Sequence, residues 1–168
     1  MKTKWKGSGG VIYIGIDPGP EMSAYCEIET QLNHIRILGK EKISNNGMLV
    51  KCNEWPTKGT KIGIEMIASY GMPVGKEVFE TCLWIGRFIE RIGKVPEYIY
   101  RREEKINLCG SMKAKDANIR QALIDRFGVP GTKKNPGVTY GFAKDTWAAL
   151  AVAVTLMDKE KLNEMHRV

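Results

Sequence analysis

Apolar residues concentrate in five short runs along the chain, each with the length of a β-strand. The first run, VIYIGID (11–17), carries branched residues at consecutive positions, which is typical of a strand covered on both faces. The next two, 22–30 and 34–43, alternate apolar and polar residues across a turn and predict antiparallel neighbours in a meander. KIGIEMIA (61–68) and EYIYR (97–101) complete the predicted strands.

Helical patterns occupy much of the remaining chain. In 76–92 the apolar positions recur at spacings of four and three, which predicts one face of an amphipathic helix; they are Val78, Cys82, Ile85, Ile89 and Ile92. Segment 113–127 gathers its apolar residues on one face and most of its charge elsewhere. Segment 144–162 is apolar nearly all round until Met157, so we expect a heavily packed helix. A short helix of uncertain extent is also expected within 48–55.

The alternation of strands and helices predicts an α/β protein with a mixed sheet. The 168 residues are about the size of one domain, which we place at 11–168, after a flexible basic leader at 1–10. No apolar run approaches the roughly 20 residues that span a bilayer, so we expect an intracellular, cytoplasmic protein with no membrane partner. Four scattered cysteines form no C-x-x-C pair and are interpreted as free buried thiols.

The formal net charge of +7 suggests what the protein binds. Good solubility would account for it, but a basic protein also binds polyanions, because each phosphate that it neutralises releases a condensed counterion. We therefore favour a nucleic-acid partner over a merely soluble surface.

Three carboxylates stand at structurally constrained places. Asp17 and Glu65 interrupt apolar strands, where an unpaired charge costs several kcal/mol. Asp145 begins the most apolar helix. Each has an ordinary explanation: a turn residue in Asp-Pro-Gly, a buried partner of Arg or Lys, and a helix cap, respectively. Taken together, they suggest acids that meet at one end of the sheet and bind one or two hard divalent cations, Mg²⁺ or Mn²⁺.

Three motifs carry a resemblance to a known family. GIDPG (15–19), IEMIASYGM (64–72) and KDTWAALAVAVT (144–155) resemble motifs of the RuvC-type Holliday junction resolvases in the RNase H-like superfamily, especially the compact phage forms. The likeness spans about 11–157. It implies an RNase H-like fold with a five-stranded mixed sheet, its first three strands antiparallel, flanked by helices. It also implies metal ligation by Asp17, Glu65 and Asp145.

The chain departs from the family pattern on its last helix. Family members often carry a second acid three residues after the first, and here that position is Ala148. Asp116 is our candidate for a replacement metal ligand. The alternative is an exposed helical aspartate paired with Lys113 or Arg120.

The resemblance also implies an activity: a Mg²⁺-dependent endonuclease of DNA recombination and repair, with Mn²⁺ substituting, that acts as a homodimer on four-way and other branched DNA. Lys113 and Lys115 would contact the scissile strand and offset charge on the phosphorus. Tyr70 would stack on an exposed base, although a core tyrosine fits equally. Helix 76–92 would supply dimer packing or would face the core. Further phosphate contacts are expected from Arg101, Arg102, Arg120, Lys133 and Lys134.

Three alternatives remain open. A nuclease of the same fold would process structured RNA, and a binding module of that fold would have lost catalysis, with Ala148 marking the loss. An actin-like or sugar-kinase-like nucleotide binder also begins with an Ile-Asp-x-Gly strand. The chain is short for two lobes and has no G-x-x-x-x-G-K-[ST] loop, so we expect no nucleotide cofactor.

Overall fold

The computed structural model describes residues 10–31, 34–55 and 59–167, and the predicted leader lies outside them except for Gly10. The strands are β1 (Val11–Asp17), β2 (Met22–Gln31), β3 (His34–Ser44), β4 (Thr60–Met66) and β5 (Glu97–Tyr100). The helices are α1 (Asn45–Glu54), α2 (Lys76–Ile92), α3 (Arg101–Cys109), α4 (Asp116–Phe127) and α5 (Lys144–Met165).

The five strands form one mixed sheet in the order β3-β2-β1-β4-β5. The pairs β3–β2 and β2–β1 are antiparallel, whereas β1–β4 and β4–β5 are parallel. The predicted five-stranded sheet, with its first three strands antiparallel, is therefore confirmed. Parallel neighbours cannot be joined by a tight turn, and here α1 precedes β4 and α2 joins β4 to β5.

Two apolar clusters cover the two faces of the sheet. One contains residues of β1, β2, β5, α4 and α5, and the other contains residues of β1, β2, β4, α1 and α2. Helix α5 approaches β1 closely at Gly15, where a Cβ atom would lie 2.1 Å from the carbonyl oxygen of Ala149. Tyr13, two residues earlier on β1, hydrogen-bonds Glu160 further along α5. The helix therefore runs antiparallel to β1, and its first turn lies beside the strand's carboxyl end.

Helix α3 was not predicted. The sequence predicts a strand over 97–101. In the structure the strand ends at Tyr100, and a helix begins directly at Arg101. Its sequence, RREEKINLC, has no apolar periodicity, and its fully buried side chain is the acid Glu104. Such a helix gives a weak hydrophobic signal, because its few apolar residues lie near its end, where Leu108 and Cys109 pack against the core.

Two other helices begin at residues that differ from the predicted ones. Helix α4 begins at Asp116 and not at residue 113, with Lys115 as its N-cap residue. The short helix expected within 48–55 begins earlier, at Asn45, where the Ser44 hydroxyl accepts a hydrogen bond from the Gly47 N–H.

Helix α2 has the predicted range, but its buried face is rotated slightly and contains Thr81, Ile85, Phe88 and Ile92. Cys82 is consequently exposed and Cys109 is half-buried, so the expectation of buried thiols holds only for Cys26 and Cys52. Across the described ranges, no helix combines the length and hydrophobicity that crossing a bilayer requires.

Candidate active site

Two of the predicted acids lie side by side at the carboxyl ends of adjacent parallel strands. Ile16 of β1 is in register with Ile64 of β4, so Asp17 and Glu65 follow as neighbours. The two carboxyl groups lie within hydrogen-bonding reach of each other. Burial raises the pKa of Asp17, and the charges of Glu65 and Asp145 raise it further, whereas Arg101 lowers it. Burial also raises the pKa of Glu65. Two buried acids side by side form a place where a cation would be stabilised.

Asp145 joins them from the first turn of α5. Its carboxylate lies 2.6 Å from the ammonium of Lys42 on β3. Ala143 occupies the N-cap position of α5, and its N–H donates to the Thr146 hydroxyl over 2.8 Å. Asp145 is thus one residue inside the helix, and the explanation of this residue as a simple cap is not what the structure shows.

Arg101 supplies the positive charge on the opposite side. Its guanidinium donates to Glu104 and to Asp116, which joins the start of α3 to the start of α4. The hydrogen bond from Arg101 holds the pKa of Asp116 below its usual range. The partners considered for Asp116, Lys113 and Arg120, do not fill that role in the described structure. Arg101 was expected to contact a DNA phosphate, but its guanidinium binds two carboxylates of the protein itself.

Glu104 is the fully buried acid of this group. One of its oxygens accepts from Arg101, and Oε1 has no hydrogen-bond partner in the part of the chain that the structure describes. Burial raises the pKa of Glu104 well above its usual range, and Glu65 raises it further. The sequence offered one weak signal for this residue, the Arg-x-x-Glu spacing of one helical turn.

The acids share one open cavity of about 830 Å³. Asp17, Glu65, Asp116 and Asp145 all line it, so the structure does bring the predicted carboxylates together. Ala148, the position that lacks an acid, lines the same cavity. Among residues 10–31, 34–55 and 59–167, no three His, Cys, Asp or Glu side chains are spaced to ligate a metal ion as they lie. The donor set still suits a hard divalent cation, because it consists of carboxylate oxygens and two of the acids are buried side by side.

The fold can now be compared with known proteins. No family model matches the chain, and no curated protein matches it either. The structure of RuvC from Thermus thermophilus superposes with a TM-score of 0.67 at 15% identity, covering 91% of this chain and 97% of that one. RuvC from T. thermophilus in complex with a Holliday junction substrate gives a TM-score of 0.69 at 13% identity, covering 91% and 96%. The chain has the RuvC fold. The expected RNase H-like architecture is therefore confirmed.

A smaller cavity of about 260 Å³ extends the RuvC-fold site past Asp17 and Glu65 towards Tyr70. Tyr70 is 64% exposed, so it is not a core tyrosine. Among the described residues it is the one non-glycine with positive φ, at 48°. A tyrosine held in the left-handed region costs conformational energy, which frequently marks a functional position.

Of the remaining basic candidates, one lines the cavity and the others do not. Arg120 lines it and lies over the Trp147 ring at 5.6 Å. Lys113 and Lys115 are exposed in the turn before Asp116, and neither is a lining residue. Arg102 is exposed on α3. Lys133 and Lys134 form the tip of a turn that reciprocal backbone hydrogen bonds between Thr132 and Asn135 close at 3.0 and 3.1 Å.

Proposed function

We propose that the protein is a structure-selective endodeoxyribonuclease that resolves four-way and other branched DNA junctions by metal-dependent phosphodiester hydrolysis. The observation that carries the proposal is the convergence of Asp17, Glu65 and Asp145, from three separate elements, on one cavity of a RuvC fold. A structure with that fold holds a Holliday junction substrate. The net charge of +7 supports a polyanionic partner.

Asp17, Glu65 and Asp145 would hold Mg²⁺, with Mn²⁺ as a substitute and Asp116 as an additional oxygen ligand. An ion held there would lower the pKa of a water and would stabilise negative charge on the phosphate. A proton bound at Asp17 or Glu65 would have to leave before both carboxylates could ligate, and Asp116 would have to part from Arg101. The ion pairs in the described structure are therefore the contacts that metal binding would replace.

The phosphate backbone would lie over the exposed basic residues around the cavity. In our proposal these are Arg102, Lys113, Lys115, Arg120, Lys133 and Lys134. Lys113 and Lys115 would approach the scissile phosphate, since they immediately precede Asp116. The closed turn at 132–135 presents its two lysines from a fixed backbone, which reduces the entropy lost on binding. Affinity should fall steeply with salt, and branch shape would dominate over base sequence in recognition.

A homodimer would place two such sites on one junction. Helix α2 carries exposed apolar side chains on the surface opposite its buried face: Phe79 is 61% exposed and Leu83 is 70% exposed. Cys82 and Gly86 lie along the same line of the helix. Solvent-exposed apolar patches of this kind are typical of subunit interfaces, and a two-fold axis would pair the patch with itself.

The decisive experiment uses a synthetic four-way DNA junction with fixed arms, incubated with Mg²⁺. We expect cleavage by the wild type and none by Asp17→Asn, while both proteins bind the junction equally in gel shifts with Ca²⁺. Asp125→Asn is the matched control, because Asp125 is an exposed acid of α4 that does not line the cavity. Equal cleavage by Asp17→Asn would remove Asp17 from the mechanism.

The same assay separates the alternatives. Preferential cleavage of an RNA duplex would favour the nuclease of structured RNA. Tight junction binding without cleavage at any divalent ion would favour a non-catalytic binding module.

A further inference from the structure

The turn that follows Asp17 is held by two buried polar side chains. It spans residues 18–21, between the end of β1 and the start of β2. The Gly19 N–H donates a hydrogen bond to the Ser23 hydroxyl over 3.1 Å, and the Asn45 side-chain amide donates to the Gly19 carbonyl over 2.9 Å. The Ser23 hydroxyl in turn donates to the Asn45 amide oxygen over 2.6 Å. These three hydrogen bonds close a ring around Gly19.

The ring is buried and closely packed. Ser23 is 1% exposed and Asn45 is 2% exposed. A Cβ atom at Gly19 would lie 2.4 Å from the Met22 carbonyl oxygen, so a larger residue does not fit there. The backbone N–H of Asn45 adds a further hydrogen bond, to the Glu21 carbonyl over 2.9 Å. Buried hydrogen bonds of this kind fix a turn, because breaking one leaves a polar group with neither water nor a partner.

The Asn45 side chain is available for this role because another residue caps α1. An asparagine at the start of a helix commonly accepts a hydrogen bond from a backbone N–H of the first turn. In α1 the Ser44 hydroxyl accepts that hydrogen bond, from the Gly47 N–H over 3.2 Å. The amide of Asn45, the first residue of the helix, binds the turn after β1 instead. The start of α1 is thereby joined to the turn next to the active site.

The turn also forms part of the wall of the active site. Pro18 lies between Asp17 and Gly19 and lines the smaller cavity, together with Asp17 and Glu65. The pairing of β1 with β2 ends at Asp17, and the proline that follows has no N–H to extend it. The sheet therefore holds Asp17 on one side, and the ring at Gly19, two residues further on, holds it on the other. Groups that bind one cation must be placed to within about 0.5 Å, so both anchors matter.

We infer that Asn45 is a positioning residue of the active site. Together with Ser23 it fixes the turn at 18–21, and so keeps the Asp17 carboxylate beside Glu65, where both can ligate a divalent cation. This inference rests on the proposed nuclease function. The competing explanation is purely structural: the ring would stabilise the fold and would not affect the metal site.

Three variants separate these explanations. Asn45→Ala and Ser23→Ala each break the ring, and neither residue lines a cavity of the site. Thr139→Val is the matched control, because it removes an equally buried hydroxyl, which donates to the Gly128 carbonyl over 3.0 Å away from both cavities. All proteins are compared at a temperature at which circular dichroism shows each to be folded. Should Asn45→Ala fail to fold, Ser23→Ala, which loses only one hydroxyl, carries the test alone.

Hydrogen exchange and metal binding are measured on the DNA-free protein. By NMR, the Gly19 amide should exchange faster in the two ring variants than in the wild type and in Thr139→Val. Mn²⁺ titrations followed by electron paramagnetic resonance should give a dissociation constant about 10- to 100-fold higher for the ring variants, the usual loss when groups that orient a metal ligand are removed. Thr139→Val should bind Mn²⁺ as the wild type does. The double variant should lose no more than Asn45→Ala alone, because both side chains act through one ring.

Junction cleavage supplies a further measurement. At a subsaturating Mn²⁺ concentration, kcat should fall in the ring variants by a factor similar to their loss of Mn²⁺ affinity. KM for the junction should stay at the wild-type value, because the proposed DNA contacts lie elsewhere. Raising the Mn²⁺ concentration should restore the rate, since excess metal offsets a weakened site.

The outcomes are distinct. Wild-type Mn²⁺ affinity in both ring variants, despite faster exchange at Gly19, would overturn this inference and leave the nuclease proposal intact. An unchanged exchange rate at Gly19 would also overturn it, because the ring would then not hold the turn. So would an equal loss of affinity in Thr139→Val, since any buried hydrogen bond would then have the same effect. A wild type that neither binds Mn²⁺ nor cuts the junction would contradict the nuclease proposal and this inference together.

Discussion

Asp17 and Glu65, at the ends of two adjacent parallel strands, bring their carboxyl groups within hydrogen-bonding reach of each other. The sheet brings the two acids together in a largely buried place, where one bound proton costs less free energy than two negative charges. A divalent cation competes with that proton for the same oxygens. The stability of the metal-free protein and its response to metal should therefore both depend on pH.

The first prediction concerns this dependence. Burial raises the pKa of Asp17 from its usual 3.8 to about 8. The folded protein holds its proton more tightly than the unfolded chain, so stability should fall as pH rises from about 4 to about 8 and level off above that. Mg²⁺ should raise the melting temperature little at pH 6 and markedly at pH 8.5. Scanning fluorimetry across pH, with EDTA or Mg²⁺, measures both effects.

Two variants separate the contribution of Asp17 to this pH dependence from that of the other acids. Asp17→Asn should flatten part of the pH slope and abolish the stabilisation by Mg²⁺, while Glu65 and Glu104 keep the remainder of the slope because their pKa values are raised as well. Asp125→Asn should behave as the wild type. A wild type whose stability increases between pH 5 and pH 8 in EDTA would contradict the assignment.

A second prediction concerns the pair that joins α3 to the site. Glu104 is fully buried and accepts from Arg101. Arg101→Met leaves an uncompensated buried carboxyl, so we expect a loss of about 3 kcal/mol in the free energy of unfolding. Glu104→Gln added to Arg101→Met should recover much of that loss, because no buried charge then remains. Urea denaturation of the two single variants and the double variant gives the coupling energy.

Arg102→Met is the control for that cycle. Arg102 is the next residue on the same helix but is exposed, so its replacement should change stability by less than about 0.5 kcal/mol. Additive effects of Arg101→Met and Glu104→Gln would mean that the two side chains are not coupled.

The strands and their acids could be predicted from local sequence patterns, whereas the cationic side chains of the site could not. β1 and β4 give strong apolar runs, and an acid at the end of each is visible as an interruption. The position of Lys42 depends on strand register across β3, β2 and β1, where a slip of one residue would turn it to the other face. No local pattern encodes that register. Arg101 begins a helix that has few apolar residues and whose buried side chain is the acid Glu104, so hydrophobic periodicity does not detect it.

A third prediction concerns the exposed apolar surface of α2. Leu83→Glu should convert a dimer into a monomer, because a charge at a two-fold interface meets its own copy. Sedimentation velocity on the wild type and the variant measures the oligomeric state. Val50→Glu, which places the same charge at a 60% exposed position of α1, should remain dimeric. Sedimentation of the wild type as a monomer at micromolar concentrations would contradict the proposed pairing.

The last prediction concerns Tyr70, which lies beside the smaller cavity with its backbone in the left-handed region. Glycine adopts that conformation without strain, so Tyr70→Gly should leave the protein as stable as the wild type or more stable by up to about 1 kcal/mol. If the ring stacks on a junction base, the same change should weaken junction binding by about 1–3 kcal/mol, the range found for base–aromatic stacking.

Tyr70→Phe keeps the ring and should bind as the wild type. A linear duplex offers no exposed base, so its affinity should be the same for all three proteins. If Tyr70→Gly bound the junction and the linear duplex with equally reduced affinity, the ring would contact the DNA backbone and not a base at the branch point.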